Sequence, residues 1–372
     1  MELALITAQQ VAVLFLLIGT GAVAAKTGVL KPESKQALSN LLVYIIVPAM
    51  IINSYRMDFS MEILRNLLAA FGMSILAICA GMVITLLLTA RHKDSRTPIF
   101  RFACIFSNAA YMGFPLISAL FGSEGLLYAS AYVTVFNLLL WTVGYGIVSG
   151  SPDPRAVVHS LVRTPILYAI LVGLCIYLLQ IPLPELVVQP LQLLANVNTP
   201  LSMLISGMLL AAGNMRSVVC SGHIWKLSAV RMALIPAVCI LLFALLGFRG
   251  TAAQVVVLLE CCPAAAITSV FAVQFGHDEG FAAGSVVLTT LLSIVVLPLC
   301  ALVITLMMRS PLPLDKNRSR PAGRLLCFCP ETSGQQKKPS FLHFCINDGF
   351  VLERPTRLEL ATSTLARWRS TR

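Results

Sequence analysis

The most informative chemistry in the chain lies inside an apolar run, in Ser107-Asn108-Ala109-Ala110-Tyr111-Met112-Gly113-Phe114-Pro115-Leu116. Asn108 offers both a hydrogen-bond donor and an acceptor. Gly113 lets another backbone approach closely, and Pro115 cannot donate to the carbonyl of Tyr111. A second proline inside an apolar run, Pro263, leaves the carbonyl of Leu259 free within Glu260-Cys261-Cys262-Pro263-Ala264-Ala265-Ala266. If both runs break at these prolines and cross, the half-helix that begins at each break presents free N–H groups and a positive dipole end. A carboxylate is the natural ligand for such a site. Asn108, Tyr111, Gly113, Pro115 and Pro263 are therefore the candidate anion-binding residues. For either proline alone an ordinary kink without a ligand is the simpler account; their pairing in equivalent runs favours a site.

Two ionisable residues lie at membrane depth. Glu260 sits about nine residues into its run and Arg231 inside the run before it, and an intramembrane carboxylate is a functional candidate by default. Glu260 could carry a coupling proton, or it could be the structural partner of Arg231. Pro48 and Pro200 mark further helix breaks or structural kinks. Asn196 and Asn198, which precede Pro200, and Asn137 suit hydrogen bonding between helices. Adjacent Cys261 and Cys262 point away from each other on a helix, so neither a metal nor a redox pair is expected, and no cofactor is implied.

These residues need elements of membrane-spanning length to hold them. Of the 372 residues, 58% are hydrophobic and 12% charged, and the mean hydropathy is +0.85; soluble domains carry about a quarter charged residues. Apolar runs bounded by charge, Pro or Gly fall near 8–25, 36–54, 66–90, 99–121, 125–149, 164–180, 188–212, 224–247, 252–275 and 281–308. The expected fold is an all-α integral membrane protein of about ten transmembrane helices, with the lipid bilayer as its main partner. Ala22-Val23-Ala24 has the form of a signal-peptidase site, but no Lys or Arg precedes it, so a retained first helix is expected.

The net charge of +11 divides at Arg309: residues 1–309 hold 16 Lys and Arg against 11 Asp and Glu, a net of +5, and the last 63 residues hold 11 against 5, a net of +6. The core excess is what loop asymmetry alone produces, so nucleic acid is not an expected partner. One alternate set of connections holds eleven basic residues (Lys26, Lys31, Lys35, Arg91, Lys93, Arg96, Arg101, Arg155, Arg163, Arg216, Lys226) and the other holds three (Arg56, Arg65, Arg249). The rich set is assigned to the cytoplasm, which places the N-terminus outside an inner cell membrane.

The runs also repeat. Lys31-Pro32-Glu33, Leu41-Leu42 and Pro48 match Leu183-Pro184-Glu185, Leu193-Leu194 and Pro200, with sixteen residues from Pro to Pro in each. Phe121-Gly122-Ser123-Glu124-Gly125 is echoed by Phe275-Gly276-His277-Asp278-Glu279-Gly280, and the offset moves only from 152 to 154. Five helices per unit is an odd number, so the second unit enters from the opposite side, an inverted-topology repeat typical of secondary transporters. The expected divisions are 1–155, 156–309 and a tail, 310–372. The tail pairs Cys327-Phe328-Cys329 with His343 and Cys345 in no closed zinc spacing. Its Arg354-Pro355-Thr356-Arg357-Leu358-Glu359-Leu360-Ala361-Thr362-Ser363 looks like translated non-coding sequence near a tRNA gene, and little ordered structure is expected there.

Asn108-x-x-Tyr111-Met112-Gly113-x-Pro115-Leu116 resembles the fourth-helix signature of the auxin efflux carrier family, and the run holding Pro263 and the segment Leu291–Leu299 also look like that family. The resemblance spans roughly residues 8–308. It implies a ten-helix carrier with a five-plus-five inverted repeat, similar in fold to sodium/proton antiporters, in which broken helices 4 and 9 cross. Bacterial relatives are associated with malate, malonate and similar carboxylates, and plant relatives export auxin, so a small carboxylate is the implied substrate and a proton or sodium ion the implied coupling partner. The family's substrate-facing positions fall on Asn108, Pro115 and Pro263. Small alanines follow Pro263 where the plant pattern has a polar side chain, which points away from an auxin-like substrate. A channel or a transporter-like sensor of the same fold is the alternative, and a homo-oligomer is compatible with either. The core carries no Asp-rich motif, no His-Glu-x-x-His and no Gly-x-Ser-x-Gly, so an enzyme is not expected.

Overall fold

A computed structural model describes residues 2–91, 94–150, 165–213, 218 and 220–307. Lys93, Arg155, Arg163 and Arg216, and the expectations for residues 310–372, lie outside the described residues. Within them the chain forms eleven helices: α1 (Glu2–Lys26), α2 (Ser34–Ser54), α3 (Met61–Thr89), α4 (Thr97–Ile105), α5 (Ala109–Ser149), α6 (Pro165–Leu179), α7 (Glu185–Ala212), α8 (Gly222–Leu245), α9 (Thr251–Glu260), α10 (Ile267–Gln274) and α11 (Glu279–Met307). Seven of them, α1, α2, α3, α5, α7, α8 and α11, are long and apolar enough to cross a membrane, and α6 and α9 are shorter apolar helices. All ten expected runs are recovered. The fourth divides between α4 and the start of α5, the fifth is the remainder of α5, and the ninth divides between α9 and α10.

Large apolar side chains such as Leu16, Leu68, Leu87, Leu193, Leu245 and Leu306 face outward, while Ser74, Thr85, Asn108, Ser206, Arg231, Glu260, Ser285 and Thr289 are buried. An apolar exterior around polar contacts is what hydrocarbon solvent selects. On α3 the buried residues Leu67, Ala70, Met73, Ala77, Ile78, Gly81, Thr85 and Thr89 recur every three or four positions, so one stripe packs inward and the rest faces lipid. The first helix joins this packing: the backbone of α1 at Ile18–Ala22 meets α7 at Leu204 and Gly207 with no space for a Cβ at Gly21 or Gly207.

Proline acts differently from the expectation. Pro48, Pro115 and Pro236 each stand two residues after a π-helical turn, Leu42–Ile46, Ala109–Gly113 and Val230–Leu234. In each case the residue before the proline, Val47, Phe114 or Ile235, donates to the carbonyl five residues back. The wider turn accommodates the ring and the missing donor, and the helix runs on through the proline. Pro48 and Pro115 therefore do not break their helices. Pro200 lies within the uninterrupted α7 and does not break it either. The sharp bend in α5 falls at Gly122, whose φ of 59° and ψ of −146° are open to glycine. Gly276, its counterpart in the repeated Phe-Gly segment, also has positive φ, 67°.

Contacts between helix ends sort the connections into two faces. Arg96 pairs with Asp278 at 2.9 Å, and the His277 ring meets the Val148 carbonyl at 2.8 Å. At the other face the Ser60 N–H donates to the Tyr177 hydroxyl, and Gln180 reaches the Met57 carbonyl.

Candidate functional site

The fourth and ninth runs are both interrupted, and the interruptions lie against each other. α4 ends at Ile105, Phe106 turns extended (φ −99°, ψ 120°), and Asn108 takes the N-cap position of α5. α9 ends at Glu260, and Cys261–Ala266 carry the chain to α10. Ser107 and Ala264 form an isolated antiparallel bridge, with Asn108 N–H donating to the Pro263 carbonyl (2.8 Å) and Ala265 N–H to the Phe106 carbonyl (2.9 Å). Ala264 N–H donates to the Thr289 hydroxyl of α11 at 3.2 Å. Backbone groups released by one break are thus satisfied largely by the other, which is how non-helical backbone persists away from water.

The two crossing points present opposite poles to opposite surroundings. α4 and α9 end there, and their last carbonyls converge on Arg231 from the π turn of α8. Its Nη1 donates to the Cys104 carbonyl and to Glu260 Oε1, both at 2.9 Å. Nη2 donates to the carbonyls of Glu260 (2.6 Å) and Cys262 (3.0 Å), and Nε to that of Cys262 (3.1 Å). All five guanidinium donors are engaged. The second oxygen of Glu260 accepts from the Tyr132 hydroxyl at 2.6 Å, and Tyr132 meets the Ser107 hydroxyl at 2.9 Å. Because Tyr132 donates to Glu260, Ser107 donates to Tyr132. Arg231 and Glu260 are both fully buried, so the cation sits where two negative helix ends meet.

The positive ends begin on the other side of the breaks and open to a cavity of about 470 Å³, within the range of small-molecule sites. In the first turn of α5 the N–H groups of Ala109, Ala110 and Tyr111 precede the first intrahelical donors, Met112 and Gly113, which bond the Asn108 carbonyl. Ala110 and Tyr111 line the cavity, as do Ala265, Ala266 and Ile267 at the start of α10. Ser107, Asn108, Asn137 and, from the start of α2, Lys35, Ser39 and Asn40 supply polar side chains, with Tyr44, Phe136 and Trp141 as aromatic wall. Lys35 is the one charged residue on this lining among the described residues. Asn108 also lines a void of about 10 Å³ beside Ser206 and Thr290.

The sequence candidates divide accordingly. Asn108 and Tyr111 reach the cavity. Gly113 does not; a Cβ there would lie 2.5 Å from Leu259 Cδ2, so glycine permits the close packing of α5 on α9. Pro115 is buried within α5, seven residues beyond the break assigned to it. Pro263 stands inside its break, is buried, and contributes its carbonyl to the crossing. Arg231 and Glu260 are each other's partners and lie off the cavity lining. Asn196 is exposed. Asn198 is buried, with neither amide atom hydrogen-bonded among the described residues. Asn137 donates to the Val133 carbonyl of its own helix, not across helices. Lys35 and Tyr132 are site residues that sequence reasoning misses: Lys35 reads as one loop charge among eleven, its one local signal being its place after Pro32 at a helix start, and Tyr132 carries no local signal. The described residues contain no cluster of three or more metal-ligating side chains.

A lipid-facing helical bundle whose two interrupted helices cross beside a polar cavity belongs to the class of polytopic membrane transport proteins. The chain matches the family described as membrane transport protein over residues 6–160 and 155–301, and it belongs to that family, the auxin efflux carriers. It is 28% identical over 281 residues to an uncharacterized transporter of Methanothermobacter thermautotrophicus, covering 74% of this chain and 91% of that protein. It is 24% identical over 298 residues to an uncharacterized transporter of Methanocaldococcus jannaschii, covering 78% and 96%.

Proposed function

We propose that the chain is a secondary carrier that moves a small organic anion, a mono- or dicarboxylate such as malate or malonate, by alternating access. The observation that carries this reading is the convergence on one cavity of two helix N-termini, the Asn108 amide and Lys35. Free N–H groups, the positive ends of helix dipoles and a basic side chain all favour a carboxylate. The cavity extends toward the starts of α2 and α6 at Lys35 and Pro165, which belong to the connections rich in Lys and Arg. On this reading that face is cytoplasmic, which makes the cavity inward-open in an inner membrane with the N-terminus outside.

Support for alternation comes from the two halves. Gly122 and Gly276 share a positive φ at repeat-equivalent positions, and both halves interrupt the helix before that glycine. An inverted repeat of 1–155 and 156–309 can exchange inward and outward conformations around a crossing that stays fixed.

Counterflow of labelled malate and malonate in proteoliposomes tests the proposal. Saturable exchange that accelerates with unlabelled substrate inside the vesicle is expected. Flux proportional to concentration without counterflow identifies a channel, and binding without flux identifies a sensor.

A further inference from the structure

We infer that Arg231 is a tethered counter-cation standing in the position a free coupling cation would take, so that the crossing requires no sodium or other alkali ion. The transport half of this inference rests on the carrier reading above; the structural half stands without it. At a crossing of broken helices, half-helix C-terminal ends and unwound carbonyls are the groups that hold a coupling cation. Here those groups are the carbonyls of Cys104, Glu260 and Cys262 together with Glu260 Oε1, and Arg231 satisfies each at 2.6–3.1 Å. Four oxygens from two helix ends, one of them a carboxylate, form a set suited to a hard cation. The guanidinium fills it with all five of its donors.

The site is built from three elements: the end of α4, the break after α9 and the π turn of α8 that directs Arg231 inward. The other side chain on Glu260, Tyr132, ties the cluster to Ser107 at the cavity wall. A fixed cation thus neutralises both helix ends in every conformation that retains the crossing, and no ion has to enter or leave for the dipoles to be balanced. Removing the side chain leaves the oxygens in place and creates a cation site.

Thermal unfolding of the purified full-length protein reads this without a substrate. The wild-type midpoint should be the same in sodium, lithium, potassium and choline chlorides at equal ionic strength. A saturable rise with sodium or lithium that is lost in Glu260→Gln would overturn the inference. Arg231→Ala should melt lower, and low concentrations of methylguanidinium or sodium should raise its midpoint saturably; a folded Arg231→Ala indifferent to both also overturns it. The wild-type arm decides where that variant does not fold. In proteoliposomes, labelled malonate counterflow should be unchanged when choline replaces sodium on both sides, and loss of flux on sodium removal contradicts the inference. Absence of malonate flux in either salt counts against the carrier reading and leaves the unfolding measurements to judge Arg231.

Discussion

Asn108 is the residue on which backbone architecture and cavity chemistry coincide. Its N–H and carbonyl are committed to the crossing and to the first turn of α5, and its side chain caps nothing, leaving the amide available to the cavity. Asn108→Ala should therefore weaken carboxylate binding by about 1–3 kcal/mol, the cost of leaving a buried partner unsatisfied, without loss of insertion. Direct binding measurements on purified protein check it, and unchanged affinity would place the anion elsewhere. Lys35 can be separated from it by charge: Lys35→Gln should lose affinity, while Lys35→Arg retains most of it. Tyr132 acts on stability instead. Tyr132→Phe deletes the hydroxyl between Ser107 and Glu260, and a drop of about 1–3 kcal/mol in stability is expected from the stranded carboxylate oxygen. Asn108, Arg231 and Glu260 stood out in the sequence because polar residues inside apolar runs are rare. Lys35 and Tyr132 did not, since a lysine beside a loop and a tyrosine in a helix are ordinary until tertiary structure shows what they face.

The elements show where proline reasoning succeeds and where it fails. Pro263 lies in a break, yet the break of the fourth run carries no proline; Ser107-Asn108 marks it, a pair whose side chains compete with helical hydrogen bonding and favour caps. Pro115 is a poor marker because a π turn, invisible to residue counting, absorbs it. The crossing is held by bonds from Asn108, Ala265 and Arg231 rather than by the missing donor of residue 263. Pro263→Ala is thus expected to keep the interruption and to change thermal stability little. Gly113→Ala should be worse, because the new methyl meets Leu259 and must push α5 away from α9; overpacking of this kind costs about 1–3 kcal/mol. Gly122 tests backbone alone, since a Cβ there meets nothing within 4 Å. Gly122→Ala should cost on the order of 1 kcal/mol from its left-handed φ, read as a lowered unfolding midpoint with binding retained.

At the scale of the whole molecule, hydropathy already located all ten apolar runs, because spans of that length are imposed by the bilayer and not by tertiary contacts. Orientation depends on a second argument, the eleven-to-three bias of basic residues between alternate connections. The contacts between helix ends sharpen it. Arg96 and Asp278 meet at one face, while Ser60, Tyr177 and Gln180 meet at the other, so two positions on each face must label together or the helix order is wrong. The Arg96 face belongs to the rich set and should be cytoplasmic; position 124, at the kink of α5, should be external with position 180. Single cysteines at 96, 278, 124 and 180, introduced into a cysteine-free background, can be probed with an impermeant maleimide on intact cells. Labelling at 124 and 180 alone is expected, with 96 and 278 reacting only after the cells are opened. The reverse pattern would invert the orientation and turn the cavity outward, and labelling that split 96 from 278 would contradict the packing itself.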